Sequence, residues 1–228
     1  MASTKDDLSV VFEDNHLIIV NKQSGDIVQG DKTGDTPLSE IVKAYIKDKY
    51  DKPGNVFLGV VHRLDRPTTG IVVFAKTSKS LERFNKMLRD KKVDKTYWAV
   101  VKNRPHKDED TLTGFLRKNP KNNKSTSHSS EIEGSKKATL HYKLLKSLNN
   151  YHLLEIDLET GRHHQIRCQL AAIGCPIKGD LKYGFDRSNK DASIHLHARK
   201  IEFIHPVTKE NITITAPLPN DPIWNACE

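Results

Sequence analysis

The chain has 228 residues, 36% of them hydrophobic and 29% charged, with a net charge of +8. That length can bury a substantial core, and the balance excludes disordered and collagen-like chains. No apolar run nears the roughly 20 residues of a membrane-spanning helix, no basic-then-apolar leader opens the chain, and Cys168, Cys175 and Cys227 form no CxxC pair, so a disulfide-free cytoplasmic protein is expected.

The opening "LSVVFEDNHLIIVNKQSG" predicts two short strands, Val10–Phe12 and Leu17–Asn21, joined by Glu13-Asp14-Asn15. "TPLSEIVKAYIKDKY" spaces Leu38, Ile41, Val42 and Tyr45 as one face of a helix. "VFLGVV" and "GIVVFAKT" are apolar enough for central strands, and "HRLDRPTTG" (62–70) connects them. A second helix follows over "SKSLERFNKMLRDKK", with Ser78 as N-cap and Leu81, Phe84 and Leu88 on its buried stripe. "KTYWAVV" is the next strand. Residues 103–137 are rich in Lys, Asn and Ser, and suit long basic loops or a weak hairpin. "ATLHYKLLKSLNNYHLLEIDLETG" predicts a hairpin turning at Leu148-Asn149-Asn150. The Gly161 turn then feeds a helix carrying Arg162, His163, His164, Gln165 and Arg167, closed by Gly174. Two last strands flank a turn at Pro206. Strands and hairpins dominate over about three helices, so the fold class is α+β, with a mixed, mostly antiparallel sheet and flanking helices in one domain.

Charge is uneven. Residues 1–60 hold 7 Lys+Arg against 10 Asp+Glu, residues 61–140 hold 19 against 9, and residues 141–228 hold 11 against 10. The basic middle suits a polyanion such as nucleic acid, or equally a solvated, solubility-promoting face.

Four groups of residues are candidates for chemistry. Asp65 sits on a connection whose ends are fixed by buried strands; it either closes the turn or serves as nucleophile or base. Arg63 and Arg66 beside it could anchor phosphates. Tyr97 and Trp98 point to opposite faces of one strand, either as packing aromatics or with one ring stacked on a base. The arginines flanking the helix entry near Gly161 suit an anion. His163 and His164 are too far apart around a helix to share a metal easily, and His195 and His197 are a better pair with no third ligand spaced to complete a zinc site.

"HRLDRPTTGIVVFAKT", "KTYWAVV", "LETGRHHQIRCQLAAIGCPIKGDLKYG" and "LHARKIEFIHPVT" resemble the RluA-type pseudouridine synthases in content, order and spacing, from about Val10 to Pro219. The resemblance implies one catalytic domain over 1–228, with an active-site cleft across the sheet and no preceding S4-type RNA-binding domain. It implies Asp65 as the catalytic aspartate, Tyr97 as the active-site tyrosine and Arg167 as the aspartate's cationic partner, since a nearby cation favours an ionised carboxylate. Ile166 would help wall the base. Arg63, Arg66, Arg162, His164 and Gln165 would meet RNA. Two departures, Gln23 for the usual proline and His163 for a common threonine, bear on substrate choice more than on chemistry.

The implied reaction detaches uracil from ribose, turns it and rejoins it through ring carbon 5, with Asp65 as nucleophile or as base at a sugar proton. It has no net redox change, so no cofactor or metal is expected. The implied partner is a ribosomal or transfer RNA stem-loop whose target base leaves its stack, met by a monomer with no obligate protein partner and no membrane. Two other classes compete: an RNA-binding or folding factor without turnover, and a metal-dependent hydrolase using His163, His164, His195 and His197.

Overall fold

The computed structural model describes residues 3–31 and 33–228. The chain divides into two compact units, Met1–Asp94 with Ala198–Leu218, and Lys95–His197 with Pro219–Glu228.

In the first unit, β1 (Val10–Glu13) and β2 (Leu17–Lys22) form an antiparallel pair whose turn is tied by Asp14, which accepts from the backbone of His16 and Leu17 at 2.7 and 2.6 Å. β2 pairs antiparallel with β4 (Thr69–Ala75) from Leu17↔Ala75 to Lys22↔Gly70. Both strands are buried throughout, which explains their unbroken apolar runs. Ile18, Val20, Val72 and Phe74 share one core with Leu38, Val42 and Ile46 of α1 (Leu38–Lys49). Each fully buried side chain of this size contributes about 1.5–3 kcal/mol.

The run "VFLGVV" forms only the two-residue β3 (Gly59–Val60) on β4. Its pairing stops because the next β4 donor is taken by a side chain: the Val73 amide donates to His62 Nε2 at 3.2 Å. α2 (Ser78–Arg89) is capped one residue earlier than the sequence suggested, by Thr77, whose hydroxyl accepts from Ser80 N at 3.1 Å. Phe84 of α2 meets Phe203 edge-on, with centroids 4.9 Å apart. Phe203 lies in β10 (Leu196–Ile204), which pairs antiparallel with β11 (Asn211–Thr215) across the Pro206 turn.

The second unit is a set of antiparallel ladders in the order β5-β9-β8-β6-β7. β5 is Val93–Val101, most of it in this unit; β8 (Lys136–Ser147) and β9 (His152–Leu158) form the expected hairpin. β6 (Glu109–Asn119) and β7 (Lys124–His128) form a regular hairpin within the stretch read as loops or a weak hairpin. Its outward face is polar, which hid the alternation. α3 (Gln165–Ala172) packs Cys168 against Leu116 and Ala138. A short α4 (Pro222–Asn225) is capped by Asp221, which accepts from Ile223 and Trp224.

The expected α+β plan with a mostly antiparallel sheet and few helices therefore holds. Among the described residues, no helix is long and apolar enough to cross a membrane.

Candidate active site

In the first unit, Arg63, Asp65 and Arg66 stand on the loop between β3 and β4. Arg63 and Arg66 are exposed and Asp65 is half-buried. The loop is held from beneath. Thr68 N donates to Asp65 O at 3.0 Å, closing a turn around the aspartate, and Leu64 packs against the core. Lys22 is 1% exposed, and its ammonium donates to three backbone carbonyls, those of Gln23, Arg66 and Thr68, at 2.8, 3.0 and 2.7 Å. Gly25 N gives Arg66 O a second hydrogen bond at 3.0 Å. Burial pushes Lys22 down to about 8, against the pull of the Asp26 and Asp65 carboxylates. A three-donor cation meeting three carbonyls leaves the loop little freedom.

The loop's exit demands glycine. Gly70 has φ +109°, and a Cβ there would land on the backbone of Ala198. Arg66 reaches away from the turn, donating to Thr33 Oγ1 at 3.0 Å and Asp35 Oδ2 at 2.7 Å. That ion pair is exposed on both sides.

In the second unit, Tyr97 lies buried on β5 opposite Ile156, while Trp98 faces the other way and donates Nε1–H to Glu155 at 3.2 Å. The alternation read from the sequence is what the strand shows.

The expected helix entry is different. α3 begins at Gln165, so Arg162, His163 and His164 form the turn before it. Gln165 makes this turn: its Oε1 accepts from Arg162 N at 3.0 Å and from the Thr160 hydroxyl at 2.8 Å, and its Nε2 donates to Thr139 O at 3.0 Å. His164 then takes the left-handed conformation, φ 53°. Its ring stacks on His163, centroids 3.8 Å apart. Gln165, Ile166 and Arg167 are all buried, and Arg162 is exposed.

Arg167 makes a bidentate pair with Asp180, Nε to Oδ2 at 2.6 Å and a terminal nitrogen to Oδ1 at 2.8 Å. Its guanidinium also lies 5.1 Å from the centroid of the Tyr183 ring. The Tyr183 hydroxyl accepts from Ser125 N at 2.8 Å and sits 2.9 Å from His164 Nδ1. A phenol can donate to a ring nitrogen or accept from it, so either His164 tautomer satisfies this contact while the hydroxyl keeps its proton. Burial pushes the Tyr183 phenol up to about 12, so the network keeps that proton at neutral pH.

Lys22, Asp180 and Tyr183 carry no expectation in the sequence reading. Asp180 and Tyr183 stand in "KGDLKYG", where the signal is a glycine directly before an acid; Gly179 has φ +86°, and a side chain there would meet Ser193 O and Asn189. For Lys22 the signal is a lysine closing a strand that is otherwise wholly apolar up to Asn21.

Among the described residues, no group of three His, Cys, Asp or Glu could hold a metal ion. His195 instead bonds Asn189 through Nδ1 and Asp221 through Nε2, both at 3.0 Å, and His195 and His197 lie against the Trp224 ring.

The fold is that of a pseudouridine synthase domain. Human RNA pseudouridylate synthase domain containing 4 superposes with a TM-score of 0.78 at 23% identity, over 93% of this chain and 89% of that one. A family model described as RNA pseudouridylate synthase matches residues 16–172, and this chain belongs to that family. An uncharacterized RNA pseudouridine synthase of Synechocystis, slr1629, is 34% identical over 93% of this chain and 66% of its own length. Ribosomal large subunit pseudouridine synthase D of Zymomonas mobilis is 32% identical over 94% of this chain and 70% of its own. The chain thus spans about two thirds of the curated relatives' length.

Proposed function

We propose that this chain isomerises specific uridines in structured ribosomal or transfer RNA to pseudouridine, with Asp65 as the catalytic carboxylate. The observation that carries this is that the family match contains Asp65, Tyr97 and Arg167 together, each on backbone held by buried hydrogen bonds or core strands. Asp65 is presented by a loop fixed through Lys22, Gly25 and Gly70. Arg167 is fixed by Asp180 and Tyr183. Rigid presentation is what a reaction needs when its reacting atoms must be positioned rather than captured.

In this reading the N1–C1′ bond of uridine breaks, uracil turns, and a C5–C1′ bond forms. The C5 proton leaves and N1 gains one, so electrons balance without a redox partner and no cofactor is required. Asp65 attacks a sugar or ring carbon, or removes a sugar proton. Arg167 supplies the cation of the site, Tyr97 and Ile166 wall the base, and Arg63, Arg66, Arg162, His164 and Gln165 meet the RNA. The chain works as one catalytic domain and as a cytoplasmic monomer.

The test is to map pseudouridines by chemical labelling in RNA from cells with and without this gene. Sites lost without the gene and restored by the purified protein on the corresponding transcript are the expected result. An unchanged map, with no turnover on ribosomal or transfer RNA transcripts, would leave a binding factor as the better reading.

A further inference from the structure

The basic excess of residues 61–140 is not one surface. In the first unit Lys76 pairs with Glu13 at 2.8 Å, Lys86 with Asp90 at 2.6 Å and Arg66 with Asp35 at 2.7 Å. In the second, Lys102, Arg104 and Lys107 pair with Asp186, Asp108 and Asp110. The hairpin of β6 and β7 and its return into β8 are different. Among the described residues, none of Arg117, Lys118, Lys121, Lys136 and Lys137 pairs with a carboxylate, and all five are exposed. The only acids in residues 111–137 are Glu131 and Glu133, both exposed and unpaired as well.

Two cations from elsewhere in the sequence join them. Lys182 donates to Asn122 O and Asn123 O in the turn between the strands, at 3.4 and 3.2 Å. Arg162 donates to Lys137 O at 2.9 Å. A surface that served only solubility would intersperse both signs, as the paired regions do. Like charges gathered in excess of counter-charges repel one another, and are relieved by a bound polyanion.

The hairpin is also firmly seated. Ser125 N donates to the Tyr183 hydroxyl, and Lys124 lies over the same ring at 5.1 Å. That ring touches both His164 and Arg167. The unpaired cations are thereby rigidly continuous with the turn that opens α3.

We infer that the β6–β7 hairpin, with Arg162 and Lys182, is a phosphate-binding surface for RNA backbone beyond the reacting nucleotide. This rests on the proposed function for its choice of polyanion and adds where the flanking RNA lies. Each phosphate contact contributes about 0.7–0.9 to the slope of log affinity against log salt.

The test uses the full chain and a labelled RNA stem-loop with one loop uridine, titrated at several KCl concentrations. In Arg117→Gln/Lys118→Gln/Lys121→Gln the salt slope should fall by about 2–3 and affinity at moderate salt by about tenfold or more. The control Lys47→Gln/Lys143→Gln/Lys190→Gln has the same net charge and should match wild type. Hairpin and control variants losing affinity equally would overturn the inference, as would a hairpin variant binding within twofold of wild type. Displacement of the RNA by polyglutamate as readily as by unlabelled RNA would also overturn it, in favour of an acidic polypeptide. Binding is read without turnover. A wild type that binds but makes no pseudouridine defeats the proposed function alone; turnover with an unchanged hairpin-variant KM defeats the hairpin alone.

Discussion

Arg167 and Asp180 form a bidentate ion pair in which the two side chains are 6% and 1% exposed. The pair sits under the Tyr183 ring, and Asp180 is itself fixed by backbone bonds: its amide donates to Ile177 O, and its carbonyl accepts from Tyr183 and Phe185. A guanidinium is planar, so binding one edge to a rigid carboxylate sets the direction of the other edge. Asp180 is thus a positioning residue for Arg167.

Asp180→Asn should therefore lower kcat about 100-fold with KM for RNA little changed, because a displacement of about 1 Å in a catalytic group costs that much. It should also destabilise the fold by about 3–5 kcal/mol, since Arg167 keeps a buried charge that Asp180 no longer compensates. Urea unfolding and steady-state kinetics check the two effects separately. A variant with wild-type kcat would remove Asp180 from the account.

Lys22 links protonation to the Asp65 loop. Below about 8 its ammonium has three N–H groups for three carbonyls; above it, two remain. Turnover should fall as pH rises through about 8, and Lys22→Met should be slow and flat across the same range. Stability runs the other way. The folded-state value lies below the ordinary 10.5, so the unfolded chain binds more protons between about 8 and 10.5, and this group's contribution to stability rises there. A pH profile of kcat for both proteins decides it, and a wild type flat between pH 7 and 9 would count against the coupling.

Glu13 governs the acid side. Burial raises its pKa, but Lys49, Lys76 and Tyr50 bond its carboxylate at 2.7, 2.8 and 2.9 Å and bring it to about 2. The folded value is below the ordinary 4.5, so its stabilisation is present above that pH and is lost as pH falls toward 2. Unfolding midpoints between pH 5 and 2 should drop more steeply for wild type than for Glu13→Gln. Parallel curves would show that this cluster holds no linked proton.

Much of the fold was legible because burial writes itself into the sequence. β2 and β4 carry unbroken apolar runs since both faces are covered, and Leu38, Ile41 and Val42 mark one side of α1. The β6–β7 hairpin was obscure because the partners of its outward residues are solvent and, on the inference above, RNA. The start of α3 was misjudged since local propensity does not reveal that Gln165 would turn its side chain back onto Arg162 N and Thr160. Asp65, Tyr97 and Arg167 came from the family resemblance more than from their neighbours. Asp180 escaped because its role exists only through Arg167, 13 residues away, and pairing at that distance leaves no periodic trace.

The central claim is that Asp65 performs the chemistry while other groups bind the RNA. It is tested most directly by single-turnover conversion of the cognate RNA by Asp65→Asn, beside that variant's affinity for the same RNA. The expected result is no detectable pseudouridine with affinity within a few-fold of wild type. Near-normal conversion by the variant would contradict the assignment of Asp65.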